Sequence, residues 1–196
     1  MDIEPTQLHG NLVRLEPLAE AHASDLYDAG RDPALWTFKP VAAPGSVAEM
    51  AELVARTVQE QVAGRCLPFA VVERESGRAV GETRFHNFAH RDRGLEIGWT
   101  WLAPRVQRTG VNTECKFLLL RHAFERLGAV RVQFRTHHLN TNSQRALERL
   151  GAVREGVLRR HMLMPDGSYR DSVYFSILDS EWPTVRTHLE GLMQRR

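Results

Sequence analysis

The chain is expected to fold as an α/β protein of the α+β kind, with a mixed, mostly antiparallel central sheet and helices on both faces. Three observations carry this expectation. Short apolar runs, alternating or continuous, recur along the chain between turn-forming residues, as strands require. Three of them, residues 68–73, 79–88 and 95–102, follow one another through short turns and predict an antiparallel meander. Segments of helical period lie before and after that meander.

Each element has a local reason. Leu12-Val13-Arg14-Leu15-Glu16 alternates and reads as a first strand. Residues 19–29 read as a short helix, and 31–44, with its prolines, as a loop. Ser46 followed by Glu49 is a capping box that opens a helix reaching about Val62. Glu75-Ser76-Gly77-Arg78 and residues 89–94 are the turns of the meander. Phe117, Leu120, Phe124 and Leu127 share one face of a helix over 116–127, which Gly128 stops. A strand over 130–135 and a helix over 143–150, ended by Gly151, come next. Asp166-Gly167 then turns a hairpin between 157–164 and Tyr169–Leu178. A last helix, from Glu181 to about Met193, is amphipathic and expected at the periphery.

The stretch Gln107-Arg108-Thr109-Gly110-Val111-Asn112 is the most informative. It follows the apolar strand 95–102 and precedes a helix. A glycine-bearing loop at a helix N-terminus offers unpaired backbone N–H groups and partial positive charge to an anion. Arg105 and Arg108 add full charges nearby. The expected ligand is a nucleotide or coenzyme pyrophosphate. No Lys-Ser/Thr pair follows the glycine, and the three glycines of a dinucleotide fingerprint are missing.

Gln107, Gly110 and Asn112 stand at the three positions of the Q/R-x-x-G-x-G/A loop of the GCN5-related N-acetyltransferases, and the chain resembles that superfamily. Asn112 replaces the usual Gly or Ala. Asn140-Thr141-Asn142-Ser143 and the following Leu150-Gly151-Ala152 are similar to its N-x-x-S…L-G-F segment. The Asp166-Gly167 hairpin, Ser176-Ile177-Leu178 and Glu181-Trp182-Pro183 resemble the branch of the RimJ/RimL-type ribosomal-protein N-terminal acetyltransferases. The resemblance runs from about Leu8 to Trp182.

It implies acetyl-CoA as cofactor, direct transfer of acetyl to an amine, and a protein N-terminal α-amine as the favoured acceptor. A small-molecule amine is the alternative acceptor, and a silent CoA-binding module the alternative function. The implied cofactor contacts are Gln107, Arg108, Thr109, Gly110, Val111 and Asn112 for the pyrophosphate. Trp101, Leu102, Asn140 and Ser143 would serve the arm and thioester, with a backbone N–H of residues 99–102 at the carbonyl. Asn140 is equally a turn residue. Strand 96–102 should part from 130–135 to admit the arm. Glu96 is the leading general base; its bland reading is an outward carboxylate paired with Arg84 or Arg93. Glu82, Glu155 and Asp171 are lesser candidates. Ser143 is a candidate acid for the leaving thiolate or simply an N-cap, because Leu147 stands where many relatives carry a tyrosine. Trp36, Phe38 and His86 are expected on the acceptor side, with Lys39, Phe85 and Phe88 nearby.

Composition narrows the classes. At 196 residues, residues 1–196 read as one domain. A net charge of +2, with no basic stripe among aromatics, gives no expectation of direct nucleic-acid binding. The excess that includes Arg159, Arg160, Arg195 and Arg196 fits an acidic partner such as a ribosomal particle, or a solvated surface. No apolar run suits a membrane, and the acidic start does not resemble a signal peptide. Two distant cysteines, Cys66 and Cys115, agree with a reducing cytoplasm. Cys115 reads as a buried core residue rather than an acetyl carrier. His137-His138 is a poor chelate if both lie on a strand, and no metal is expected. Relatives of this kind are often dimers, which makes a homodimer a further expectation.

Overall fold

The computed structural model describes residues 1–194; Arg195 and Arg196 lie outside them. The elements are β1 (Leu8–His9), β2 (Val13–Pro17), α1 (Ala23–Ala29), α2 (Val47–Val62), β3 (Cys66–Glu73), β4 (Ala79–Ala89) and β5 (Gly94–Leu102). There follow α3 (Val111–Arg121), β6 (Arg131–His137), α4 (Thr141–Arg149), β7 (Val153–Leu163), β8 (Tyr169–Leu178) and α5 (Trp182–Gln194). The strands form one sheet in the order β1-β2-β3-β4-β5-β6-β8-β7. Every neighbouring pair is antiparallel except β5 and β6, which run parallel.

Two apolar layers cover the sheet. On one face, Phe69, Phe85, Ile97 and Phe134 pack beneath α3 and α5 through Cys115, Leu119, Val185 and Leu189. On the other, Ala70, Val72, Ala79 and Trp101 meet Leu26, Trp36, Met50 and Val54 of the α1–α2 side. Ser46 caps α2, its hydroxyl accepting the Glu49 N–H at 3.1 Å.

Several boundaries differ from the sequence expectation. The first helix divides into a 3₁₀ turn, Glu20–His22, and α1. Helix α3 starts at Val111, five residues before the expected Lys116, because its first turn is polar and hides the apolar period. It continues as a π-helical turn, His122–Arg126. Strand β7 starts at Val153; it is an edge strand, largely exposed, so no apolar alternation marks it. Helix α5 is not peripheral: Trp182, Val185 and Leu189 are buried, and Trp182 stacks on Phe124 at 5.4 Å. Among the described residues no helix is long and apolar enough to cross a membrane.

Glu114 explains why that polar first turn is buried. Its carboxylate accepts the N–H groups of Asn11, Leu12 and Val13 at 2.7, 2.7 and 2.9 Å. It thereby clamps the β1–β2 turn to α3. Gly10 is required beside it, since a Cβ there would stand 2.5 Å from the Glu114 carboxyl carbon. Glu114→Ala leaves three N–H groups without their acceptor and should cost about 3 kcal/mol. Denaturant titration checks this; a loss below about 1 kcal/mol contradicts the clamp.

Candidate active site

Two irregularities in the meander build the site. Along β4–β5, Glu82 faces Trp101 and Arg84 faces Gly98, so β5 carries one extra residue between Gly98 and Trp101. This is a β-bulge, with Trp99 at φ +56°. Further along, His86 faces Glu96 and Ala89 faces Gly94, so β4 carries an extra residue of its own, with Asn87 at φ +52°. Strand β5 pairs with β6 only through Gly94, Leu95 and Glu96. Past that point the two strands part, and their facing edges leave backbone groups free for another partner. A cavity of about 740 Å³ occupies the gap and spreads to both sides of it.

Glu96 stands where the strands part and lines the cavity. It is 1% exposed. Oε2 accepts the side-chain amides of Asn87 and Gln133, both at 2.9 Å. Oε1 lies 3.3 Å from Arg135 Nε and 3.4 Å from His86 Nε2. The bland reading fails in detail: the carboxylate faces inward, Arg84 is paired with Glu82 at 2.8 Å, and Arg93 donates to the Gly128 carbonyl. The β4 bulge is what aims Asn87 at it. Burial lowers the His86 pKa against the pull of Glu96, so this imidazole is neutral at pH 7. A Cβ on Gly98 would stand 2.4 Å from His86 Nε2, so a side chain there would displace the imidazole.

The other mouth of the gap is the loop 107–110 and the start of α3. Gln107 donates to the Leu102 carbonyl at 2.9 Å, tying the loop to the end of β5. Thr109 accepts the Val111 N–H at 3.2 Å and donates to the Val106 carbonyl at 2.7 Å. The first i→i−4 bond into α3 is Glu114 N–H to Gly110, so the amides of Asn112 and Thr113 point out of the helix end. The left-handed residue of the loop is Arg108, at φ +58°, while Gly110 is helical at φ −69°. Arg108 and Asn112 line the cavity; Val111 is buried in the core behind it. Arg105 is not available to an anion there, because it forks onto Glu73 with two bonds of 2.8 Å. Arg145 and Arg149 of α4, which sequence reasoning did not single out, reach the cavity instead.

Helix α4 closes the far wall. Asn140, not Ser143, is its N-cap: Oδ1 of Asn140 accepts the Ser143 N–H at 3.0 Å. The Ser143 hydroxyl is left without a partner among the described residues and lines the cavity with Asn140. Leu147 is buried on the same wall.

The remaining candidates divide. Phe38 and His86 line the cavity, whereas Trp36 does not. Trp36 packs on Trp101 at 5.5 Å and donates to the Gly30 carbonyl, as a core tryptophan with its N–H satisfied. Trp101 and Leu102 are both buried core residues whose strand borders the gap. Glu155 is paired with Arg131, and Asp171 accepts the Arg160 N–H. Cys115 is fully buried, and burial pushes its thiol up to about 12. His137 and His138 do not diverge as strand neighbours would; β6 ends at His137, and the rings stack at 4.6 Å. No group of three or more His, Cys, Asp or Glu among the described residues is arranged to hold a metal.

Two lysines were underrated. Lys116 is 5% exposed, and its Nζ donates to Thr100 Oγ1 at 2.6 Å. Burial lowers its pKa to about 8. A lysine inside the run Cys115 to Leu120 was the available signal. Lys39 donates to the Trp99 carbonyl at 2.6 Å, satisfying an oxygen that the bulge takes out of the ladder. Burial lowers its pKa to about 7.

A mixed sheet opened between its parallel pair by a bulge, with a helix N-terminus at one mouth and a buried carboxylate at the other, is the fold of the GCN5-related N-acetyltransferases. The family model described as an acetyltransferase (GNAT) domain matches residues 13–153, and the chain belongs to that family. A crystal structure of a GCN5-related N-acetyltransferase from Brucella melitensis superposes with a TM-score of 0.92 at 30% identity, over 97% of this chain and 86% of that one. Mycobacterium smegmatis RimJ in complex with CoA-disulfide gives a TM-score of 0.83 over 96% of this chain and 95% of that one. At 24% identity it shows the shared fold alone. The Bacillus subtilis (strain 168) protein named "Putative ribosomal N-acetyltransferase YdaF" is 33% identical over 106 residues, 54% of this chain and 57% of that protein. The match therefore spans little more than half of this curated relative.

The unpaired charge of Lys116 penalises folding below its folded pKa of about 8, and the penalty lifts as pH rises toward the unfolded value of 10.5. Lys116→Met should raise the melting temperature of the ligand-free protein by several degrees at pH 7, and the gain should shrink between pH 8 and 10.5. Thermal melts across that range check it; a lower melting temperature for the variant at pH 7 contradicts it.

Proposed function

We propose that residues 1–196 form one acetyl-CoA-dependent N-acetyltransferase domain that transfers acetyl directly to a primary amine, with a protein N-terminal α-amine as the favoured acceptor. The observation that carries the reading is the bulge-opened gap between β5 and β6, with Glu96 on one side and the α3 N-terminus on the other. The name of the relative from Bacillus subtilis supports a ribosomal acceptor. A cytoplasmic setting and self-association into a homodimer belong to the same reading.

The residues present fit acetyl-CoA. Gln107, Arg108, Thr109, Gly110, Val111 and Asn112 would hold the pyrophosphate, through outward amides and the Arg108 charge. Asn140 and the free edge of residues 99–102 would hold the pantetheine arm. When bound, the coenzyme supplies an activated acetyl thioester. A backbone N–H of residues 99–102 would donate to an oxygen that gains charge. An α-amine with a pKa near 8 needs only modest help to lose its proton. Glu96, held by Asn87 and Gln133, takes that proton through a water, beside neutral His86. The uncommitted Ser143 hydroxyl would be the proton donor to the leaving thiolate. Phe38 and His86, which line the cavity, would border the acceptor.

Free-thiol release from acetyl-CoA, with peptides whose only amine is the α-amine, should exceed release with small amines or N-blocked lysine peptides. Release only with the second set transfers the reading to small-molecule amines. Silence with both, alongside calorimetric binding of acetyl-CoA, leaves a binding module. Gly110→Glu sets bulk and negative charge in the loop and should abolish acetyl-CoA binding in a folded protein; unchanged affinity contradicts the pyrophosphate site. Glu96→Gln should lower turnover roughly 10²-fold at pH 6 and progressively less toward the amine pKa. A loss that is small and uniform across pH assigns Glu96 to structure.

A further inference from the structure

The acceptor end of the cavity carries more positive charge than its own carboxylates answer. Lys39, Arg135 and Arg170 line it, and Glu96 is the only carboxylate among the described lining residues. Arg135 is held by Glu96 at 3.3 Å, and Arg84, behind Trp99, is held by Glu82 at 2.8 Å. That leaves Lys39 and Arg170, neither of which has an ion-pair partner among the described residues.

Arg170 is the stronger indicator. It comes from β8, is 7% exposed, and donates from Nη1 to the Phe38 carbonyl at 3.0 Å. Its Nε is buried with no hydrogen-bond partner. A guanidinium presents five N–H donors in a planar fork that suits a carboxylate. Burying one with one carbonyl bond and an orphaned Nε is costly unless an anion completes it. Lys39 donates to the Trp99 carbonyl and projects into the same end, where a carboxylate beside it would favour its charged form. Both side chains also stitch down the segment around Phe38, so they would be rigid when a ligand arrived.

Resting on the acetyltransferase reading, we infer that Arg170 and Lys39 form an anion subsite that receives a carboxylate of the acceptor, close to the amine that is acetylated. The acceptor then binds as a dipole, its amine toward Glu96 and its carboxylate toward Arg170. The carboxylate can belong to an acidic side chain in the first residues of a polypeptide, or to a free amino acid.

The test compares isosteric acceptors in the acetyl-CoA thiol-release assay. One pair is Ser-Asp-Ala-Ala-NH2 against Ser-Asn-Ala-Ala-NH2; the other is free serine against serinamide. The carboxylate member of at least one pair should show kcat/KM higher by about tenfold or more, and which pair responds distinguishes the two sources. Arg170→Gln should collapse that ratio toward unity, mainly through KM, and Arg170→Lys should restore part of it. Lys39→Gln, which leaves the Phe38 carbonyl bond intact, should lower the ratio independently. Equal kcat/KM within both pairs, or a ratio indifferent to both variants, overturns the subsite and leaves acetyl transfer standing. If no amine turns over, calorimetry with N-acetyl-serine and its amide on the CoA-saturated protein decides. Carboxylate-selective binding lost in Arg170→Gln keeps the subsite while the transferase reading falls; no selectivity overturns the subsite as well.

Discussion

The extra residue of β5 is the constraint on which the rest of the molecule depends. Without it, the β4–β5 ladder would continue straight and nothing would turn β5 away from β6. With it, β5 holds its parallel partner for three residues and then leaves. The bulge also sets a tryptophan in the left-handed region and frees its carbonyl, which Lys39 then satisfies. Strain of this kind persists only when neighbours over-determine it. Here Arg84 lies over the Trp99 ring at 4.3 Å, Gly81 gives Trp101 the room to approach, and Thr100 is fixed between Thr83 and Lys116.

The buried charges follow from the same geometry. A sheet that splits must bury polar groups at the split, and each needs a partner. Glu96 receives three, two of them neutral amides and one an arginine, while His86 Nε2 lies 3.4 Å away without a hydrogen bond. Glu114 performs the corresponding task outside the gap by accepting three backbone amides. Lys116, Arg170 and the Ser143 hydroxyl are left short of partners, and all three border the cavity. Other buried groups short of a hydrogen-bond partner, at Gln61, Glu82 and Arg84, lie outside the cavity lining.

Much of this was legible in the chain because it is local. The strand-loop-helix order around Gly110 pointed to one mouth of the gap, the Asn140–Ser143 segment to its far wall, and a carboxylate within the apolar run 95–102 to Glu96. What was not legible is what depends on register. No residue type announces the bulge at Trp99: a tryptophan with positive φ runs against preference and is imposed by its neighbours. Trp36 was misplaced because a loop tryptophan looks like a pocket wall until the core behind it is seen. Arg105 and Arg149 exchanged roles for the same reason; Glu73, distant in sequence, claims the first. Partners such as Gln133 and Arg170 come from strands adjacent only in the folded sheet.

The most direct measurement of the central claim is amide hydrogen exchange with and without acetyl-CoA, resolved along β5. Residues 98–102, whose edge faces the gap, should gain protection together with the first turn of α3, while residues 94–96, already paired with β6, should change little. Protection at α3 without any at 98–102 would mean that the parted strands do not hold the coenzyme, and would contradict that claim.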